Sequence, residues 1–250
     1  MYCMIIIAMT SWPKRIQNVA TVVKSVMENT LVPDRLYLTL STEEFPNKES
    51  DLPKDLVEIF NSNDCLMINW VEKNTKTMKK IFPVLKYLSD DDIIINIDDD
   101  ILIPRGAIEY RVNEFKGNPI TGANNPRCHM VDANLRMFSC GPFSIFQKKH
   151  LNHWDEFVND EITKTYNDDY TYTMICWLNG YRFLPCSDYS RHTGVSRHKI
   201  PKFNSVDSSY NLKLYVDRAP MYEILKKRVK EITNMSVEDS FGYYKKMRTV

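Results

Sequence analysis

Residues 93–97 constrain the fold more than any other part of this sequence. They form an almost unbroken apolar run of five residues, and Asp98, Asp99 and Asp100 follow at once. A short apolar run bounded by charges predicts a strand that is covered on both faces, as in parallel sheets. In open sheets of that kind, ligands bind beyond the carboxyl ends of the strands, which is where these three aspartates would lie.

Strand and helix patterns alternate through the first half of the chain. Strands are predicted over residues 5–9, 36–40 and 65–71, and helices over 15–29, 56–60 and 76–88. This alternation predicts βαβ units, and therefore an α/β fold with a mixed, mostly parallel sheet flanked by helices. The second half is less regular, with helices predicted over 105–115, 170–178 and 221–232 and strands over 120–123 and 139–146.

Length and charge exclude several classes of protein. A chain of 250 residues fits one α/β domain or two small domains, and no linker in it forces a boundary. Its 33 basic and 32 acidic residues give a net charge of +1, which argues against a generally basic nucleic-acid-binding protein. No apolar run is long enough for a transmembrane helix, and none of the six cysteines forms a CxxC pair. Free thiols in a reducing, cytoplasmic compartment are therefore expected.

The acidic residues after the central strand suggest a metal site. If the backbone stays extended, Asp98 and Asp100 point to one face and Asp99 points to the other. Two neighbouring carboxylates repel, and Mg²⁺ or Mn²⁺, which prefers oxygen ligands and substrate phosphates, would relieve that repulsion. A solvated acidic turn is the alternative. For the earlier run at residues 90–92, which precedes its strand, the solvated turn is the preferred interpretation.

Three motifs in order carry a resemblance to a known family. They are Thr-Ser-Trp-Pro-Lys-Arg at 10–15, Leu-Ser-Thr-Glu-Glu-Phe-Pro at 40–46, and Asp-Asp-Ile-Ile-Ile-Asn-Ile-Asp-Asp-Asp-Ile at 91–101. Over roughly residues 4–190 the chain resembles GT-A-fold glycosyltransferases, close to the family 2-like bacterial enzymes that build surface polysaccharides. The resemblance implies a single Rossmann-like domain, with a nucleotide-sugar-binding half over 1–104, an acceptor-binding half over 105–220 and a helical tail over 221–250.

The resemblance also assigns roles to residues near the donor. It implies that Asp98 and Asp100 bind Mn²⁺ or Mg²⁺, with His192 as a further metal ligand in a later loop. It places the nucleotide-sugar, by expectation a UDP-sugar, against the following residues: Thr10, Trp12, Arg15, Lys80, Asp98 and Asp99. Lys79 is a second candidate for contact with the donor phosphates. A purely structural role stays open for three of these residues. Trp12 could cover the sheet edge, Lys80 could lie on a solvated helix face, and His192 could be an ordinary surface histidine.

A second acidic pair, Asp168-Asp169, opens the predicted helix at 170–178. Aspartate at a helix start caps free N–H groups, so spacing alone favours a structural role. By resemblance, however, Asp169 is the general base that takes the proton of the acceptor hydroxyl, and Asp168 is the helix cap. Such a base suits a single displacement with inversion at the sugar, although a retaining enzyme stays open. The acceptor is expected to be a glycan or lipid-linked saccharide. The basic residues over 221–232 could touch an anionic membrane surface, with a solvated helix face as the preferred alternative.

Two other classes of function compete with a metal-dependent glycosyltransferase. A sugar-phosphate nucleotidyltransferase also uses an α/β sheet and a metal at acidic residues, but it usually has a glycine-rich loop after the first strand. Residues 8–13 contain no glycine, and a P-loop motif is absent from the chain. A non-catalytic carbohydrate-binding relative is the third class, and the presence of Asp98, Asp100 and Asp169 argues against it.

Overall fold

A central sheet organises the protein. The computed structural model describes residues 3–122, 128–132, 135–138, 140–165, 167–186 and 219–247. The strands in it are β1 (Ile5–Thr10), β2 (Arg35–Ser41), β3 (Leu66–Val71), β4 (Ile93–Asn96), β5 (Cys128–Asp132), β6 (Leu135–Phe138) and β7 (Ile145–Gln147). The main sheet has the order β3-β2-β1-β4-β7, in which the first four strands are parallel and β7 is antiparallel to β4. The fold class predicted from the sequence, a mixed and mostly parallel α/β sheet, is confirmed.

Alternate residues of the central strands enter two different cores. Ile6 and Ile94 face one hydrophobic layer, whereas Ile7 and Ile95 face the other, and all four are buried. Because successive side chains of a strand point to opposite faces, only a continuous apolar run can serve both layers. This explains why β1 and β4 read as unbroken apolar stretches.

Helices cover both faces of the sheet. They are α1 (Ile16–Met27), α2 (Lys54–Asn61), α3 (Ala107–Glu114), α4 (Trp154–Phe157), α5 (Asp160–Thr163), α6 (Asp168–Leu178), α7 (Ala219–Thr233) and α8 (Tyr243–Met247), with further short 3₁₀ helices at Lys48–Asp51 and Lys148–Leu151. Helix α6 is buried on almost every side, so its first turn is held firmly in the core.

The helix predicted over 76–88 is wrong as a continuous α-helix. The structure has two 3₁₀ helices there, Lys76–Lys80 and Phe82–Tyr87, which meet at Ile81. Pro83 explains the break, because it has no N–H to donate and its ring disfavours helical backbone at the residue before it. The apolar spacing was real, since Met78, Phe82 and Leu85 are all buried.

The two strands predicted over residues 120–123 and 139–146 are only partly confirmed. Ile120 makes isolated bridges to Ile145 and Leu184 instead of starting a strand. Of the strand predicted over 139–146, residue 139 lies outside the described residues, 140–144 form a turn in which Gly141 and Phe143 both have a φ of 66°, and only 145–146 belong to β7.

Five described cysteines, namely Cys3, Cys65, Cys140, Cys176 and Cys186, are free thiols as predicted. Within the described ranges, no helix combines the length and the apolar character that crossing a membrane requires.

Candidate functional site

The acidic residues after β4 lie beside the loop that follows β1. These two strands are parallel neighbours, with Ala8 opposite Asn96, so their carboxyl ends meet at one edge of the sheet. The guanidinium Nη1 of Arg15 lies 3.0 Å from Asp99 Oδ1 and 3.4 Å from Asp100 Oδ2. A single cation from the start of α1 therefore partly neutralises two of the three carboxylates.

Asp99 faces the protein interior, although the extended geometry behind the predicted alternation of the three aspartates is absent. Strand β4 ends at Asn96 and the backbone turns at residues 99–100, so the alternation of a strand does not reach the three aspartates. Asp99 accepts a hydrogen bond of 2.7 Å from Ser11 Oγ and one of 3.0 Å from Arg15. Burial raises the pKa of Asp99, although Arg15 and Ser11 act in the opposite direction. Its contacts make Asp99 an anchor of the acidic turn.

Lys80 links the end of β4 to the start of α6. Its ammonium lies 2.6 Å from Asp98 Oδ1 and 3.7 Å from Asp168 Oδ2. Burial by itself would lower the pKa of Lys80, but the carboxylates of Asp98 and Asp168 outweigh it and raise the pKa. Lys80 is therefore a charged, buried residue and not part of a solvated helix face.

Asp168 is not the cap of α6, and that prediction is wrong. Asn167 occupies the cap position, where its side chain accepts a 3.1 Å hydrogen bond from the amide of Tyr170. Asp168 is instead buried in the first turn, and within the described residues its Oδ2 has no hydrogen-bond partner. Burial raises the pKa of Asp168 to about 6, with Asp169 and Asp98 adding to the rise and Lys80 opposing it.

Asp169 is half-buried and faces the turn before β7. Its Oδ1 accepts from the amide of Gly141 and from the thiol of Cys140, both at 3.2 Å. Burial, and next the Asp169 carboxylate, raise the pKa of the Cys140 thiol well above its usual range, so the sulfur keeps its proton and donates it. A carboxylate that two donors hold in place is suited to accept a proton from a hydroxyl group.

The other residues predicted to contact the nucleotide-sugar lie near the same edge of the sheet, but they already have partners within the protein. Thr10 ends β1 and donates its hydroxyl to Thr39 O at 2.7 Å. Trp12 is half-buried, and the ammonium of Lys14 lies 5.2 Å from the centre of its ring. Lys79 points to Glu44 at 2.6 Å and not to the acidic turn.

The carboxylates of the turn differ in their access to a ligand. The side chains of Asp98 and Asp100 are 35% and 18% exposed, whereas that of Asp99 is 7% exposed. Within the described ranges, no cluster of three or more histidine, cysteine or acidic side chains is arranged to hold a metal by itself. This set fits an Mg²⁺ or Mn²⁺ ion that two carboxylates bind only in part, with phosphates and water completing its shell. His192 lies outside the described residues.

The basic residues of α7 are largely paired within the protein. Lys226 lies 2.5 Å from Glu223, Lys227 2.9 Å from Glu161, and Arg228 3.0 Å from Glu231. These pairs favour the interpretation of α7 as a solvated, core-packing helix.

Sequence reasoning missed Asn96, which contacts the turn at residues 140–144, as a part of the site. Asn96 is fully buried and donates a hydrogen bond to the carbonyl of Gly141 in this turn. The amide of Gly141 donates to the carboxylate of Asp169. The available signal was the single polar residue within the apolar run at 93–97.

Comparison with solved structures identifies the fold. S. aureus TarS (residues 1–349, in complex with UDP-GlcNAc) matches with a TM-score of 0.51 and 14% identity, over 93% of this chain and 73% of that chain. The chain has a GT-A-like fold. It spans 58% and 35% of the chains in two other TarS structures, which match with TM-scores of 0.45 and 0.49.

Sequence comparison gives much less. No protein-family model matches the chain. A curated relative, the chloroplastic β subunit of acetyl-coenzyme A carboxylase carboxyl transferase from Aethionema cordifolium, is 24% identical over 144 residues. The match covers 55% of this chain and only 28% of that protein, so it shows no family.

Proposed function

We propose that this protein is a glycosyltransferase that moves a sugar from a nucleotide-sugar to a hydroxyl group of a glycan or lipid-linked acceptor. The observation that carries the proposal is a set of paired charges in a GT-A-like fold: Arg15 pairs with Asp100, Lys80 pairs with Asp98, and Asp169 interacts electrostatically with Lys80. TarS, which shares this fold, was solved with UDP-GlcNAc, and this supports a UDP-sugar as the donor.

The charges at this edge suit a diphosphate leaving group. Lys80 and Arg15 are cations that already lie among the acidic residues, and each can contact a phosphate if its carboxylate partners turn to other ligands. A divalent ion, when bound, would be held by Asp98 and Asp100 and would offset the negative charge that grows on the departing diphosphate. Asp99 stays with Ser11 and Arg15 and keeps the acidic turn in place.

The chemistry assigned to the chain is a single displacement. The acceptor oxygen forms a bond to the anomeric carbon of the sugar while the bond from that carbon to the diphosphate breaks. The nucleoside diphosphate leaves with the electron pair, and Asp169 takes the proton of the acceptor hydroxyl. The hydrogen bonds from Gly141 and Cys140 fix the carboxylate that performs this step.

A donor screen tests the proposal. UDP-, GDP-, CMP- and dTDP-sugars, including UDP-GlcNAc, are incubated with the protein in Mn²⁺, in Mg²⁺ and in a chelator, and the products are identified by mass spectrometry. Release of a nucleoside diphosphate with a new glycosidic bond, or slow hydrolysis of one donor, is the expected result. Formation of a nucleotide-sugar and pyrophosphate from a sugar phosphate and a nucleoside triphosphate would assign the chain to the nucleotidyltransferases. Binding of saccharide without binding of any nucleotide would indicate the non-catalytic alternative.

A further inference from the structure

The side chain of Asn96 joins the last residue of β4 to the turn at residues 140–144. Its Oδ1 accepts from the amide of Ser144 at 2.8 Å and from the hydroxyl of Ser144 at 2.7 Å, and its Nδ2 donates to the carbonyl of Gly141 at 3.2 Å. Its main chain adds two bonds, from Phe143 N to Asn96 O at 2.6 Å and from Asn96 N to Ser144 O at 3.2 Å. A buried amide is costly unless it is satisfied, and here every bond of Asn96 with this turn is made to backbone or hydroxyl groups of fixed position.

The turn has an unfavourable backbone that its surroundings must hold. Phe143 has a φ of 66°, which is uncommon for a residue with a side chain, and Gly141 has the same value. On the other side, Gly122 donates its amide to Cys140 O at 2.7 Å, and a Cβ on Gly122 would lie 1.8 Å from Pro142 O. The guanidinium of Arg111 lies 5.5 Å from the Phe143 ring, which is fully buried. The turn therefore packs between Asn96, Gly122 and Arg111, which restrict its position.

The same turn holds the carboxylate of Asp169. Gly141 accepts from Asn96 through its carbonyl and donates to Asp169 Oδ1 through its amide, while Cys140 donates its thiol to the same oxygen. Asn96 also stands two residues before Asp98, which pairs with Lys80. One buried amide thus links the end of β4 to the turn that holds the carboxylate at the start of α6, whereas the acidic turn itself is held by Lys80, Arg15 and Ser11.

We propose that Asn96 is a positioning residue, which aims the Asp169 carboxylate by fixing the turn at residues 140–144. This inference rests on the proposed function for its catalytic meaning, but the structural link from Asn96 through Gly141 to Asp169 can be measured without any substrate. Loss of Asn96 leaves Asp98, Asp100 and Lys80 in the chain, so it should reduce the rate of transfer much more than the affinity for the donor.

Nuclear magnetic resonance can follow the link at a single atom pair. Cys140-Gly141 is the one Cys-Gly dipeptide in a sequence with seven glycines. Labelling the cysteine carbonyl carbon and the glycine nitrogen therefore gives one correlated signal, the amide of Gly141. We expect Asp169→Asn to shift this signal in the wild-type background, and to shift it much less in the Asn96→Ala background. An equal shift in both backgrounds overturns the proposal, whatever the protein catalyses.

Kinetics test the consequence for the reaction. Asn96→Ala should lower the transfer rate at saturating substrates by about 10²-fold, as expected for a misplaced catalytic group, while the affinity for UDP changes little. Asn29→Ala is the matched control, because Asn29 is also a buried amide that bonds two backbone segments, donating to Pro104 O and accepting from Ile108 N. Equal rates per folded molecule in the two variants would contradict a positioning role.

A milder variant provides a second test in case Asn96→Ala does not fold. Ser144→Ala removes the hydroxyl bond to Asn96 Oδ1 and keeps the amide bond, and it also removes the hydrogen bond between the hydroxyl and the Cys140 thiol. It should move the Gly141 signal and the transfer rate in the same direction by smaller amounts, and no change in either overturns the proposal. If the labelled signal behaves as expected but no donor is bound or turned over, the proposed function fails and the link between Asn96 and Asp169 stands.

Discussion

Asp169 is half-exposed, and two donors from the neighbouring turn hold its carboxylate. Asp169→Asn keeps the size of the side chain but removes its ability to take a proton. We expect single-turnover transfer to slow by about 10²–10⁴-fold, while UDP binding stays near that of the wild type. The control is Asp160→Asn, the same chemical change at a carboxylate that is 78% exposed on α5 and pairs with Lys73. Near-normal transfer by folded Asp169→Asn would remove this residue from the mechanism.

Asp168 gives a prediction about pH. Its folded-state pKa is raised to about 6, from a usual value of 3.8. Between these two pH values, the native protein holds a proton on Asp168 that the unfolded chain has released. Stability falls with rising pH wherever the folded state binds more protons. We therefore expect the free energy of unfolding of the wild type, minus that of Asp168→Asn, to decrease between about pH 4 and pH 6 and to stay level above that. Urea unfolding at several pH values measures this difference, and a flat difference over the whole range would show that Asp168 does not titrate as described.

At the scale of elements, the turn at residues 140–144 depends on the absence of a side chain at Gly122. A Cβ there would meet the carbonyl of Pro142, which is a backbone group that cannot move alone. We expect Gly122→Ala to lower stability by about 1–3 kcal/mol, the usual cost of overpacking, and to slow transfer as well. Gly117→Ala is the control: its φ of 89° makes alanine strained, but no atom lies within 4 Å of the added carbon. A smaller loss of stability in Gly122→Ala than in Gly117→Ala, by thermal unfolding, would contradict the close approach.

The same elements show what the sequence could predict and what it could not. Strands β1 to β4 were all found from local patterns. The unbroken apolar runs of β1 and β4 arise because these strands are buried on both faces, and that pattern needs no information from distant residues. The partners of Asp99 could not be predicted, since Ser11 and Arg15 are more than eighty residues away in the sequence. Asn167 was missed as the cap of α6 for a different reason, because two neighbouring aspartates are equally good caps by residue type.

At the scale of the whole molecule, the sheet places two acidic groups of different origin at one edge. Asp98–Asp100 follow the strand β4, Asp168-Asp169 begin a helix seventy residues later, and Lys80 lies between the two groups. Under the proposed function, this arrangement brings the residues assigned to the charged leaving group next to the residue proposed as the base, as a transfer between two substrates requires. The fold itself could be predicted from alternating patterns, but this meeting of charges could not, because it depends on how the second half of the chain packs on the first.

Binding of nucleotide to the whole protein provides the last prediction. A ligand that binds only the folded state stabilises it, by about 2.7 kcal/mol at a concentration of 100 times the Kd. We expect UDP with Mn²⁺ to raise the melting temperature of the wild type more than UDP with a chelator does. Asp100→Ala should lose that difference. The variant should keep its fold, since the side chain of Asp100 contributes little to the core. The matched control is Asp91→Ala, which removes a carboxylate that is 70% exposed and pairs with Lys149, in the other aspartate run of the chain. This variant should keep the full effect of Mn²⁺. If Asp100→Ala keeps it too, Asp100 is not a ligand of the metal, and if Mn²⁺ has no effect on the wild type, nucleotide binding by this protein does not depend on a divalent ion.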